Sequence, residues 1–186
     1  IIPTYNMEAF LPRCLDSLII AENFEKLEIW IVNDGSKDRS SELGHEYEAK
    51  YPDVFKVIDK PNGNYGSCIN AALPKCTGKY VKVLDSDDWF DTYNLNQFIK
   101  DLCIYDVDLV ITNTTYGDIG RNINSNKRIN INSFNQIIDF KEVVQYPNFL
   151  DIEMHFITYR TTIFKEIDYH QTEGISYTDQ EWIFSP

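Results

Sequence analysis

The sequence lacks any apolar run approaching the ~18–20 residues that span a bilayer as a helix, although 43% of its 186 residues are hydrophobic. It opens on Ile1 rather than Met, with no basic region ahead of an apolar stretch, so no signal peptide is expected. The numbered chain is expected to be a piece truncated at both ends, with any membrane association left to regions outside it. Basic residues are scarce: 17 Lys and Arg stand against 29 Asp and Glu, a net charge of −12. That excludes a nucleic-acid partner, which needs a basic face to neutralise phosphates; the acidity itself reads as solubility. Cysteine is equally sparse. Cys14, Cys68, Cys76 and Cys103 form no Cys-x-x-Cys pair, and three of them sit in apolar, helix-like patterns. Reduced thiols and a cytoplasmic setting, at the inner face of a membrane, are the expectation. Repeats, linkers and low-complexity tracts are absent, no hydrolytic Ser-His-Asp or Cys-His arrangement is suggested, and His45 and His170 show no metal-ligand spacing.

What is present is a regular alternation. Ile1-Ile2-Pro3 reads as the end of a strand, and Phe10, Leu11, Cys14, Leu15, Leu18 and Ile19 recur at helical spacing. Leu27–Val32 reads as a strand, followed by a polar helix to about Tyr51 and a strand over Val54–Ile58. A helix from about Tyr65 to Leu73 and a strand over Tyr80–Leu84 follow. Four alternations with short connections imply an α/β fold with a mostly parallel sheet and helices on both faces. In such sheets ligands sit beyond the carboxyl ends of the strands. The polar clusters Thr4-Tyr5-Asn6, Asn33-Asp34, Asn62-Gly63-Asn64 and Asp85-Ser86-Asp87-Asp88 all fall there. Beyond them, Leu109–Thr112 and Phe156–Tyr159 read as strands, residues 117–135 as hairpin or loop material over the site, Phe140–Tyr146 as a short helix, and Asp179 as the start of another.

Three carboxylates in the four residues Asp85–Asp88 repel one another unless a cation or hydrogen-bond donors compensate them. Hard oxygen ligands at a strand end suit Mn²⁺ or Mg²⁺ with diphosphate oxygens completing the shell; the competing reading is a solvated turn capping the next helix. Tyr5 is placed to stack on a base, and Asp34 to meet a base or ribose, although Asn33-Asp34-Gly35-Ser36 also reads as a simple turn.

Taken together, Ile1-Ile2-Pro3-Thr4-Tyr5-Asn6, Ile31-Val32-Asn33-Asp34-Gly35-Ser36-Lys37-Asp38, Gly78-Lys79-Tyr80 and Leu84-Asp85-Ser86-Asp87-Asp88-Trp89 resemble, in order and spacing, family 2 glycosyltransferases with the GT-A fold. Asn62 to Asn70 resembles the family's Gly/Ser-rich stretch leading to an Asn, with Ile69 standing where an Arg is usual. The resemblance implies one GT-A catalytic domain over 1–186, with a nucleotide-sugar-binding half (1–105) and an acceptor-side half (106–186). It implies that Pro3, Thr4 and Tyr5 line the nucleobase pocket, that Asp34 contacts the base, typically uracil, and that Asp85 reaches the ribose. Asn62 and Asn70 fall among the nucleotide-sugar contacts. By the same resemblance Asp87, in a DXD motif, binds Mn²⁺ or Mg²⁺, and Asp88 supports it. Family members invert the anomeric centre and need one base, which the resemblance places at Asp179, with Glu181 as the competing carboxylate; Thr178 replaces the first acid of the usual pair. His155 is a candidate for the acceptor pocket or for a structural role.

The activity so implied is transfer of a sugar from a UDP-sugar to a saccharide or lipid-linked saccharide hydroxyl, in cell-surface polysaccharide synthesis. Two alternatives stand beside it. A nucleotidyltransferase would normally carry a Gly-rich, Lys/Arg-bearing loop after the first strand, which Thr4-Tyr5-Asn6-Met7-Glu8 does not supply. A non-catalytic nucleotide-sugar-binding partner subunit would keep the strand-end acids and lose the base.

Overall fold

The structure, a computed structural model, describes residues 1–118, 123–127, 136–146 and 152–186. Strand β1 (Ile2–Thr4) pairs in parallel with β2 (Ile29–Asn33), which pairs in parallel with β3 (Phe55–Asp59). A second sheet has β8 (Ile157–Arg160) between β4 (Tyr80–Val81) and β5 (Leu109–Ile111), antiparallel to both. Two backbone bonds join the sheets: the Ile1 amino group donates to Lys82 O at 2.9 Å and Leu84 N–H donates to Ile1 O at 3.0 Å. The expected strand over Tyr80–Leu84 is therefore shared. Its first two residues pair with β8, and its last three run beside Ile1.

Period-two alternation assigns the faces. Ile2, Ile29, Ile31 and Phe55 pack on one side with helices α1 (Leu11–Ile19), α2 (Ser40–Lys50) and α4 (Thr92–Ile104). Ile1, Val32, Val81 and Val83 pack on the other with α3 (Asn64–Ala72), α6 (Thr161–Glu166) and α7 (Asp179–Phe184). Leu11, Cys14, Leu15 and Leu18 make the buried stripe of α1 at the spacing read from the sequence. Each leucine contributes roughly 1.5–3 kcal/mol by leaving water. Burial holds Cys14 and Cys68 protonated, pushing each thiol up to about 12, and Cys76 is buried with them. Trp182, fully buried, stacks on Phe164 at 4.6 Å and anchors α7 to the second face.

The second half of the chain holds the hairpin expected near 117–135, with arms β6 (Thr114–Asp118) and β7 (Ile123–Lys127). The rest of that segment, 119–122 and 128–135, lies outside the described residues. The short helix expected at Phe140–Tyr146 is α5 (Phe140–Val143). No helix among the described residues is long and apolar enough to cross a membrane.

Candidate active site

The ends of β1, β2 and β3 and of the segment 82–84 meet along one rim. At the end of β1, Tyr5 stands 46% exposed above the buried Pro3 and Thr4. The left-handed Asn6 (φ 55°) turns the chain there, its N–H donating to Ser36 Oγ and its Oδ1 accepting from Lys37 N–H. At the end of β2, Asp34 is buried and heavily engaged. Its Oδ1 accepts from Lys60 Nζ at 2.5 Å and from Gly63 N–H at 2.9 Å, and its Oδ2 from Asn64 N–H at 2.9 Å. Asn62 donates to Asp34 O at 3.1 Å. Next to Asp34, Gly35 adopts φ +73°, and a Cβ there would press on Asn62 N at 3.0 Å; the loop after β3 closes against this turn only because position 35 is glycine.

At the fourth strand end the acidic run forms a turn, with Asp88 N–H donating to Asp85 O at 3.0 Å. Ser86 points inward and is buried, while Asp87 is exposed. Asp85 and Asp88 face His155, whose Nε2 lies 3.8 Å from Asp85 Oδ2 and whose Nδ1 lies 3.7 Å from Asp88 Oδ2. One ligand atom from each of Asp85, Asp88 and His155 lies within 4.8 Å of the others. Two carboxylate oxygens and an imidazole nitrogen form a donor set that fits Mn²⁺ or Mg²⁺. Burial raises the Asp85 and Asp88 carboxyls above the usual carboxylate range, and His155 opposes that in both. A cation would offset the same desolvation.

Two groups below the rim support these acids. Tyr65 donates its hydroxyl to Asp85 Oδ1 at 2.6 Å. Lys82 is partly buried, and burial pulls its ammonium down to about 7; its Nζ donates to His155 O at 2.6 Å and Ile157 O at 3.4 Å. Lys82 thus fixes the backbone that carries the imidazole.

Asp179 begins α7 and is partly buried. Its charge is close enough to push up both Asp85 and Tyr65, so it lies within electrostatic reach of the acidic turn. Glu181 is occupied elsewhere, accepting from Thr172 N–H at 2.7 Å. No described residue donates a hydrogen bond to the Asp179 carboxylate.

The family model of glycosyl transferase family 2 matches residues 1–168, across the whole rim described above. The chain belongs to that family. It is 43% identical over 93 residues to an uncharacterized glycosyltransferase of Mycoplasma pneumoniae, covering 48% of this chain and 31% of that protein. It is 36% identical over 111 residues to a hyaluronan synthase of Pasteurella multocida, covering 56% of this chain and 11% of that protein. The crystal structure of S. aureus TarS 1–349 in complex with UDP-GlcNAc superposes with a TM-score of 0.74 at 22% identity, covering 98% of this chain and 50% of that one. The chain thus spans about half or less of the length of these relatives. Its fold is GT-A, with five strands running one way and β8 reversed.

Within this family-2 domain, Pro3, Thr4, Tyr5, Asp34, Asn62, Asp85 and Asp88 stand along the strand-end rim, and Asp179 comes to it from 91 residues beyond Asp88. His155, read for the acceptor side or for structure, stands between Asp85 and Asp88. Asp87 lies beside that triad rather than in it. Asn70 turns its amide to the backbone of Gln171. Ile69, where an arginine is usual, is fully buried in the core. Sequence reading missed Lys60, Tyr65, Lys82 and Gln171. The period-two alternation of Val81, Lys82 and Val83 carried a signal for Lys82, since a lysine in a strand covered on both faces needs buried acceptors.

Proposed function

We propose that this domain is the donor-binding and catalytic part of an inverting glycosyltransferase that uses a UDP-sugar, with a saccharide or lipid-linked saccharide as acceptor, in cell-surface polysaccharide synthesis. The observation that carries the reading is Asp179, free of hydrogen-bond donors among the described residues, standing within electrostatic reach of Asp85, a member of the Asp85–Asp88–His155 cluster. The UDP-GlcNAc complex of TarS supports the uridine donor, and the hyaluronan synthase relative supports a polysaccharide product.

Asp85, Asp88 and His155, with Asp87 alongside, would hold Mn²⁺ or Mg²⁺, which when bound neutralises charge developing on the leaving diphosphate. Tyr5 stacks on the base above Pro3 and Thr4, and Asp34 takes the uracil N3–H on Oδ2, beside the bond it accepts from Asn64 N–H. Asp85 reaches the ribose. Asp179 removes the proton from the acceptor hydroxyl as that oxygen attacks the anomeric carbon through an oxocarbenium-like state, inverting the centre.

The test uses the full-length protein. Calorimetry of UDP with Mn²⁺ should show binding that collapses with EDTA and with Asp87→Ala or His155→Ala, and UDP should outcompete GDP, CDP and ADP. Equal affinity with and without EDTA would remove the metal from the reading, and a preference for GDP would remove uridine. UDP binding without turnover of any UDP-sugar would favour a non-catalytic binding subunit.

A further inference from the structure

Asn70, near the C-terminal end of α3, pairs with the backbone of one residue of a distant loop as a neighbouring strand would. Its Oδ1 accepts from Gln171 N–H at 2.9 Å and its Nδ2 donates to Gln171 O at 2.8 Å. Nδ2 also donates to Glu173 Oε1 at 2.8 Å. The loop is drawn tight against the helix. Gly174 N–H donates to Gly63 O at 3.0 Å, and a Cβ on Gly66 would lie 2.1 Å from Thr172 O.

The fully buried side chain of Gln171 carries the grip onward. Its Nε2 donates to Thr178 O at 3.1 Å and Thr178 Oγ1 at 2.7 Å, and its Oε1 accepts from the Tyr169 hydroxyl at 3.2 Å. Thr178 immediately precedes Asp179. The bond from Thr172 N–H to Glu181 closes the same unit from the helix side. At its other end α3 is fastened to Asp34 through the N–H groups of Gly63 and Asn64. With no described donor on the Asp179 carboxylate, its place is set by where α7 starts, and that start is held to α3.

We propose that Asn70 and Gln171 are positioning residues for Asp179, locking the start of α7 to the helix that also frames the Asp34 pocket. The inference rests on the reading of Asp179 as base. A misplacement of ~1 Å in a reacting group can cost 10²-fold in rate, so loosening this lock should slow transfer while leaving donor binding intact.

The experiment compares full-length Asn70→Ala and Gln171→Met with wild type. Gln171→Met keeps length and volume and loses both bonds to Thr178, so it supplies the answer if Asn70→Ala is too unstable to assay. UDP affinity with Mn²⁺ is measured by calorimetry, and kcat and donor KM by UDP release from the UDP-sugar that wild type consumes. Hydrogen exchange is followed over 169–181. The expected result is kcat lower by about ten- to a hundredfold, with UDP affinity and donor KM unchanged and exchange faster over 169–181. The deciding measurement is Asn70→Ala placed in an Asp179→Asn background, where it should cost nothing further, because both act through one group. An additive loss, or UDP affinity falling with kcat, would overturn the inference and return Asn70 to the nucleotide. Unimpaired transfer by Asp179→Asn alone would overturn the base assignment, and the positioning role with it. The exchange data would then still report whether the lock itself exists.

Discussion

Asp34→Ala should destabilise the domain as well as weaken nucleotide binding, and the structure sets the size of that loss. The Asp34 carboxylate is 4% exposed and its Lys60 partner 18%, so the pair is far from the solvent-screened case in which ion pairs are worth ~0–1 kcal/mol. Removing one member of a buried pair costs about 3–5 kcal/mol, because the other charge stays enclosed without compensation. Gly63 and Asn64 lose their acceptor at the same time, a cost that overlaps with the first rather than adding in full. Against a total stability of ~5–15 kcal/mol, such a loss lowers Tm by roughly 6–20 °C for a domain of this size. Urea denaturation followed by circular dichroism is the assay, with Lys60→Met/Asp34→Ala as control. The double variant should recover part of the loss, since no buried charge remains. A loss under ~1 kcal/mol for Asp34→Ala would refute the reasoning, placing the pair with exposed ones. The consequence reaches the nucleotide test: weak UDP binding by Asp34→Ala reports on uracil only if the folded fraction is measured alongside.

Three further outcomes follow from the same geometry. Asp179→Asn keeps size and removes basicity, so transfer should fall by about 10²–10⁴-fold while UDP affinity holds; a fall on Glu181→Gln instead would move the role there. Lys82→Met strips the carbonyls of His155 and Ile157 of their donor and should cost ~1–3 kcal/mol in chemical denaturation; an unchanged midpoint would show that Lys82 does not hold that backbone. His45, bonded to Asp59 and Glu48, has its pKa raised above 6.5 by those hydrogen bonds. Its contribution is therefore fully present below pH 6.5 and fades as pH climbs through the raised value. His45→Gln should flatten the Tm–pH curve above pH 6.5, and an unaltered slope would contradict the assignment.

What the sequence determined alone was whatever local chemistry dictates. The 3.6-residue recurrence of Leu11, Cys14, Leu15 and Leu18, the period-two strands, and polar turns at four strand ends are each written within a few residues. They suffice for an α/β sheet with its site on the carboxyl rim, and the order of the motifs suffices for the family. Register and length were less legible. The run over Tyr80–Leu84 reads as one strand, yet it divides between β8 and Ile1 because its partners lie 78–80 residues downstream and at the first residue. The tertiary structure alone decided which groups meet. His155 joins Asp85 and Asp88 because β8, which it precedes, runs antiparallel beside β4, and no spacing within the acidic motif encodes that neighbour. Glu181 differs from Asp179 only because Thr172 N–H reaches it across a folded loop. Asn70 looks like one more polar residue on a helix until Gln171 is packed against it, since a hydrogen-bond partner 101 residues away exists only once the core has closed.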